Sequence, residues 1–162
     1  MSRLSDFLSR LDKIPTRTWF WIVLLIAAIQ RLLLRVFYPV VPLNDTGSYR
    51  RSAEAILGGW EQYDGTRTPG YPAFMAIFGP DEHVYSAQLL LGLGITLLFF
   101  YIGWKITGRG WFGALAALLH TFNAQQFLFE ADLMTETLAT FWLALAFAGM
   151  VYLLDDHSNG AA

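Results

Sequence analysis

Three short stretches of this 162-residue chain carry side chains that could do chemistry. The first is Asn44-Asp45-Thr46-Gly47-Ser48-Tyr49, followed by Arg50 and Arg51. Asp45 stands just before a helical pattern, with Tyr49, Ala53, Ile56 and Leu57 on one face and Gly58-Gly59 as the stop. A carboxylate there has two compatible readings: an N-cap that accepts backbone N–H bonds, or a base that takes a proton from a substrate hydroxyl. The second stretch is Thr66-Arg67-Thr68-Pro69-Gly70-Tyr71-Pro72. Its prolines fix a stiff turn and launch a helix, which holds Arg67 at the entrance. That arginine either snorkels to lipid headgroups or grips a phosphate at two points.

The third stretch is Leu133-Met134-Thr135-Glu136-Thr137. Glu136 falls in the first turn of the last apolar helix, where the helix dipole favours a carboxylate whether or not it also reacts. His120 has no second histidine at ligand spacing, so it reads as a packed interior residue and no metal site is expected. Cysteine is absent, which removes disulfides, thiolate zinc sites and thiol nucleophiles.

These residues have to be positioned by apolar elements. Hydrophobic residues make up 55% of the chain and charged residues 15%, with a mean hydropathy of +0.41. A soluble domain carries roughly 25% charged residues, and the excess apolar content here is gathered into runs, as in membrane proteins. Net charge is −2, so no nucleic-acid partner is indicated.

An all-α membrane protein with about four transmembrane helices follows. Residues 1–17 form an amphipathic surface helix, with Leu4, Phe7, Leu8, Leu11 and Ile14 at helical spacing, ended by Pro15. A transmembrane module occupies 18–154, with spans at about 18–38, 84–106, 111–129 and 137–154. An outer loop over 39–83 holds two short juxtamembrane helices, Ser48–Leu57 and Pro72–Phe78, the latter apolar but too short to span. The far half of the third span is polar (His120, Asn123, Gln125, Gln126) and should not face lipid. Arg35 can snorkel outward, whereas Arg31 lies deeper and should point into protein. Residues 155–162 form a polar, loose tail.

Orientation follows from basic residues. Arg3, Arg10, Lys13 and Arg17 precede the first span, and Lys105 and Arg109 reach the same side after two crossings. The loop Glu130–Glu136 has no Lys or Arg. Both termini should therefore be cytoplasmic, with 39–83 and 130–136 outside, in a multi-pass plasma-membrane protein such as one of a bacterial inner membrane. Arg50, Arg51 and Arg67 defy this rule and invite a functional explanation.

Taken in order, Asp45-Thr46-Gly47-Ser48-Tyr49, Arg67–Pro72, Gln88-Leu89-Leu90-Leu91-Gly92 and Leu133–Leu138 resemble the N-terminal part of the GT-C membrane glycosyltransferases. That group comprises protein O-mannosyltransferase-like and aminoarabinose-transferase-like enzymes, and the resemblance runs from about Arg31 to Leu154. It implies a sugar donor carried on a polyprenyl phosphate, an essential acid at Asp45 and an arginine-proline motif at Arg67 and Pro69–Pro72. Many mannosyltransferase relatives have paired acids where Asn44 precedes Asp45. Such enzymes also have about twice as many spans, so a truncated or split enzyme is expected, with the missing C-terminal part as its partner.

On this reading Asp45 and Glu136 are the catalytic candidates, and Tyr49, Arg50, Arg51, Arg67 and Tyr71 bind substrate. The partners are membrane lipid, a polyprenyl-phosphate-linked sugar and an unidentified hydroxyl acceptor. No cofactor is called for, with a divalent metal left open. Arg67, with Arg50 or Arg51, would stabilise the leaving phosphate, while Asp45 works on the opposite face of the sugar and inverts its anomeric centre. The alternative is a small non-catalytic subunit that binds lipid carriers or partner helices through Gly92, Gly94, Gly103 and Gly113. A transporter or channel fragment is disfavoured because the spans carry no acids.

Overall fold

A computed structural model describes residues 2–42 and 45–160, with side chains from Ser5 to Asp155; Asn44 lies outside the described residues. The described residues form eight helices. Pro15 separates α1 (Ser2–Asp12) from α2 (Thr16–Phe37). Two short helices follow, α3 (Thr46–Leu57) and α4 (Gly70–Phe78). Helix α5 (Asp81–Thr107) is the longest and ends at Gly108, whose left-handed backbone a side chain would strain. Then come α6 (Gly110–Thr121), α7 (Ala124–Ala131) and α8 (Glu136–Gly160). Helices α2, α5 and α8, the last up to Asp155, are long and apolar enough to cross a membrane. The chain is an all-α, multi-pass membrane protein.

The expected third span over 111–129 is built as two helices. At 12 residues, α6 is about 18 Å long, well short of a hydrocarbon core of about 30 Å. The break falls at Phe122-Asn123, where the Asn123 side chain accepts the Gln125 N–H and caps α7. The tail also differs from expectation: the α8 backbone stays helical to Gly160, and Asp155 pairs with Lys105 at 2.5 Å.

Ion pairs and hydrogen bonds sort the helix ends into two groups. Asp12 meets Arg109 and Trp111, and Lys105 meets Asp155, so both terminal regions share one end. At the other end Arg35 pairs with Glu82, and Val41 makes a two-bond parallel bridge to the 131–133 segment. That bridge ties the exit of α2 to the exit of α7.

Helix α5 is the hub. A Cβ added at Gly103 would sit 3.1 Å from the Gly113 Cα, so α5 and α6 cross with their backbones in close approach. Buried Thr137, Ala144 and Ala148 form one stripe of α8, while its other faces expose Trp142, Leu143, Phe147 and Met150.

Midway along the bundle, a polar network replaces apolar packing. Glu130 is fully buried rather than part of an outward loop, a correction to the sequence expectation. Its Oε1 accepts from Arg31 Nη2 at 2.8 Å and from Gln126 Nε2 at 3.3 Å. Arg31 also donates to Thr96 Oγ1, which lies 3.0 Å from His120 Nδ1 and 3.3 Å from Thr121 Oγ1. Gly92 faces the Glu130 carboxyl, and any Cβ there would collide with it. The sequence expectation that the spans carry no acids told against a transporter; Glu130 adds a buried acid beside them, on the short helix α7. Burial of an isolated carboxylate is costly, so the pairing with Arg31 is what permits it.

Candidate functional site

The end remote from the termini carries α3, α4 and the loop between them. Asp45 precedes α3 with helical backbone angles, and its side chain makes no capping bond. The carboxylate turns instead to Arg67, with Oδ1 2.5 Å from Nη2. Asp45 is about half exposed and Arg67 less so. Arg67 Nε donates to Ser48 Oγ at 2.9 Å, and the guanidinium lies 4.8 Å from the Tyr49 ring centroid. Within five consecutive positions, Asp45 to Tyr49, three side chains thus meet one arginine.

The loop holds that arginine in place. Tyr63 donates its hydroxyl to the Arg67 carbonyl, and Asp64 Oδ1 accepts from both the Thr66 N–H and its hydroxyl. The Thr66 bonds hold the Asp64 carboxyl below its usual range. The bond to Asp45 likewise raises the Arg67 guanidinium above its usual value, so it stays charged.

The contacts continue inward from Tyr49. Its ring meets Tyr71 edge-on at 5.1 Å, and the Tyr71 hydroxyl donates to Gln88 Oε1 at 2.5 Å. Gln88 Nε2 reaches the carbonyls of Phe129, Glu130 and Asp132, closest to Asp132 at 2.7 Å. One buried amide therefore joins α4 to the carboxyl end of α7, whose carbonyls need such a donor. Burial raises the Tyr71 hydroxyl well above its usual pKa, and the charge of Glu136 adds to the shift. Burial, then Glu136, also raises the Asp132 carboxyl.

Of the residues expected from sequence, Asp45, Tyr49, Arg67 and Tyr71 form one connected chain of contacts. Arg50 turns away and bonds Asp81 at the start of α5. Arg51 lines a separate polar pocket with Ser48, Asp64 and Thr66. Glu136 opens α8, within electrostatic reach of Tyr71 and Asp132, but makes no bond to Asp45 or Arg67. Its Oε2 is buried and meets no hydrogen-bond partner among the described residues. The Thr46 hydroxyl, which donates to the Leu133 carbonyl at 3.4 Å, links the Asp45 and Glu136 segments. Sequence reasoning did not single out Ser48, Gln88 or Asp132 as site groups. Gln88 entered the sequence reading only as the first residue of the Gln88–Gly92 resemblance motif, with no role assigned to its side chain.

Arg67 stands beside Asp45, not across a sugar's width from it. Only one Asp45 oxygen is engaged among the described residues, which leaves the other able to take a proton. Among the described residues, no group of three or more His, Asp or Glu converges as a metal centre would. Comparison with known protein families, with curated proteins and with solved structures yields no match for this chain.

Proposed function

We propose that this chain is the N-terminal membrane portion of a glycosyltransferase that moves a sugar from a polyprenyl-phosphate carrier to an acceptor hydroxyl at the outer membrane face. The observation that carries the reading is that Asp45 leaves its helix cap unmade and binds Arg67 at one end of the bundle. A base and a phosphate-binding cation are then adjacent, where lipid-linked and water-soluble substrates can meet.

In the reaction, the acceptor oxygen bonds to the anomeric carbon and gives its proton to Asp45. The bond from that carbon to the phosphate oxygen breaks, and the electron pair leaves with the polyprenyl phosphate. Arg67 stabilises the charge that develops there. Because Arg67 is bound to Asp45, a donor phosphate competes with the carboxylate for the guanidinium. Donor binding thereby frees the Asp45 carboxylate to meet the acceptor hydroxyl. A single displacement inverts the sugar, and it requires the Asp45–Arg67 pair to part so that the two side chains flank the ring.

An apolar groove of about 560 Å³ supports a lipid donor. Ile29, Leu33 and Phe37 of α2 line it together with Phe122 and Phe127, and so does Tyr38 at the carboxyl end of α2. In the proposed orientation both termini are cytoplasmic in the plasma membrane, and a cysteine introduced at Gln62 reacts with an impermeant reagent on intact cells.

The non-catalytic alternative loses its main support. Gly92, Gly94, Gly103 and Gly113 all serve contacts within the chain. The transporter reading gains a buried acid, but Glu130 is already held by Arg31 and walled by Gly92. The direct test is a transfer assay on the full-length gene product with labelled polyprenyl-phosphate sugars. Labelled product supports the reading, and failure with every donor tried, from folded protein, contradicts it.

A further inference from the structure

A second cavity opens beside the Asp45–Arg67 pair, in the lap between α3 and the loop that follows it. It measures about 460 Å³, within the range of roughly 300–1,000 Å³ usual for small-molecule sites. Its lining mixes polar and apolar surface in near-equal share: Ser48, Ser52 and Thr66 offer hydroxyls, Gln62 an amide, Asp64 a carboxylate and Arg51 a guanidinium, beside Ala55 and side-chain hydrocarbon. Ser48 is shared with the neighbouring pair, since its Oγ accepts from Arg67 Nε and bonds the Asp45 carbonyl. Anything seated in the cavity against Ser48 therefore lies next to the Asp45 carboxylate.

The lining discriminates among ligand classes. An isoprenoid or acyl chain would leave the hydroxyls, the amide and the charged groups there without partners. A phosphate finds one guanidinium but also the carboxylates of Glu54 and Asp64, the latter kept ionised by Thr66. A peptide segment finds neither a free strand edge nor an apolar anchor. A neutral polyol, which both donates and accepts at every hydroxyl, matches the mixture. In the loop that carries Gln62 and Asp64, the Trp60 and Tyr63 rings pack edge-on at 5.4 Å.

We infer that this cavity binds the carbohydrate part of the acceptor, so that the enzyme transfers its sugar to a glycan hydroxyl and not to a protein side chain. The inference rests on the proposed transferase activity for its catalytic meaning, but binding itself needs no turnover. The test is saturation-transfer NMR on the full-length protein in lipid nanodiscs, with free methyl hexosides as probes. Wild-type protein should transfer saturation to at least one of them. Gln62→Ala should weaken that signal several-fold, and Gln62→Trp, which fills the cavity, should abolish it. Overturning results are no signal from any hexoside, a signal indifferent to Gln62→Trp, or full displacement by inorganic phosphate. Hexoside binding without any transfer activity would uphold the cavity and sink the transferase. Transfer to a peptide hydroxyl with no hexoside binding would do the reverse.

Discussion

The molecule contains two arginine–carboxylate pairs of opposite character. Arg31–Glu130 is shut inside the bundle, with both side chains at 5% exposure or less. Arg67–Asp45 sits at one end, 29% and 48% exposed. The inner pair replaces water with an arranged set of partners (Thr96, Gln126, His120, Thr121), so its removal should be felt in the fold. The outer pair is solvated and screened, so it contributes little to stability. Chemistry needs access and a partner that can be exchanged, which the outer pair has and the inner pair lacks.

The largest effect should come from breaking the inner pair. Glu130→Ala leaves Arg31 buried and unpaired, and should cost about 3–5 kcal/mol of unfolding free energy. The double variant Arg31→Met/Glu130→Leu should recover much of that loss. Unfolding of purified protein in mixed micelles measures both. A double variant no more stable than the single would mean the pair is not the unit that matters.

A smaller loss is expected at Gly92. Gly92→Ala drives a methyl group into the Glu130 carboxyl and should cost about 1–3 kcal/mol as an overpacked contact. In a Glu130→Ala background the same change should cost little, because the clash is gone. Equal costs in both backgrounds would deny the contact.

The smallest effect concerns Asp132, between the two regions. Its carboxyl is raised by burial and by Glu136, so the folded state holds that proton more tightly than the unfolded chain does. Stability on this account falls as pH rises from the ordinary carboxylate range through the raised folded value. Asp132→Asn removes the penalty and should melt slightly above wild type at neutral pH, with the advantage fading in acid. An advantage that grows in acid would reverse the sign and refute the assignment.

Much of the outer region was legible because its cues are local. The prolines around Gly70 and the glycine stop after Leu57 place α3, α4 and their loop within a few residues of where they lie. The side-chain partnership across the loop was less so: the cap reading of Asp45 was open, and only the fold shows the carboxylate turned to Arg67. The inner region was harder. Glu130 lies in a polar stretch that reads as a loop, and its partner is 99 residues away. Nothing local says that Arg31 arrives at the same depth. The break at Asn123 was hidden for a related reason. Apolar residues continue on both sides of it, so a window average sees one span where a capping side chain divides two helices.

The most direct measurement compares Asp45→Asn and Glu130→Gln in the full-length protein, with sugar transfer and thermal melting recorded for each. Asp45→Asn should melt like wild type and lose transfer by about 10²–10⁴-fold, because an amide cannot take the acceptor's proton. Glu130→Gln should melt lower, with whatever protein remains folded still transferring sugar. A normally folded Asp45→Asn protein that transfers at near wild-type rate would contradict the account, since it would leave the outer pair without a chemical role.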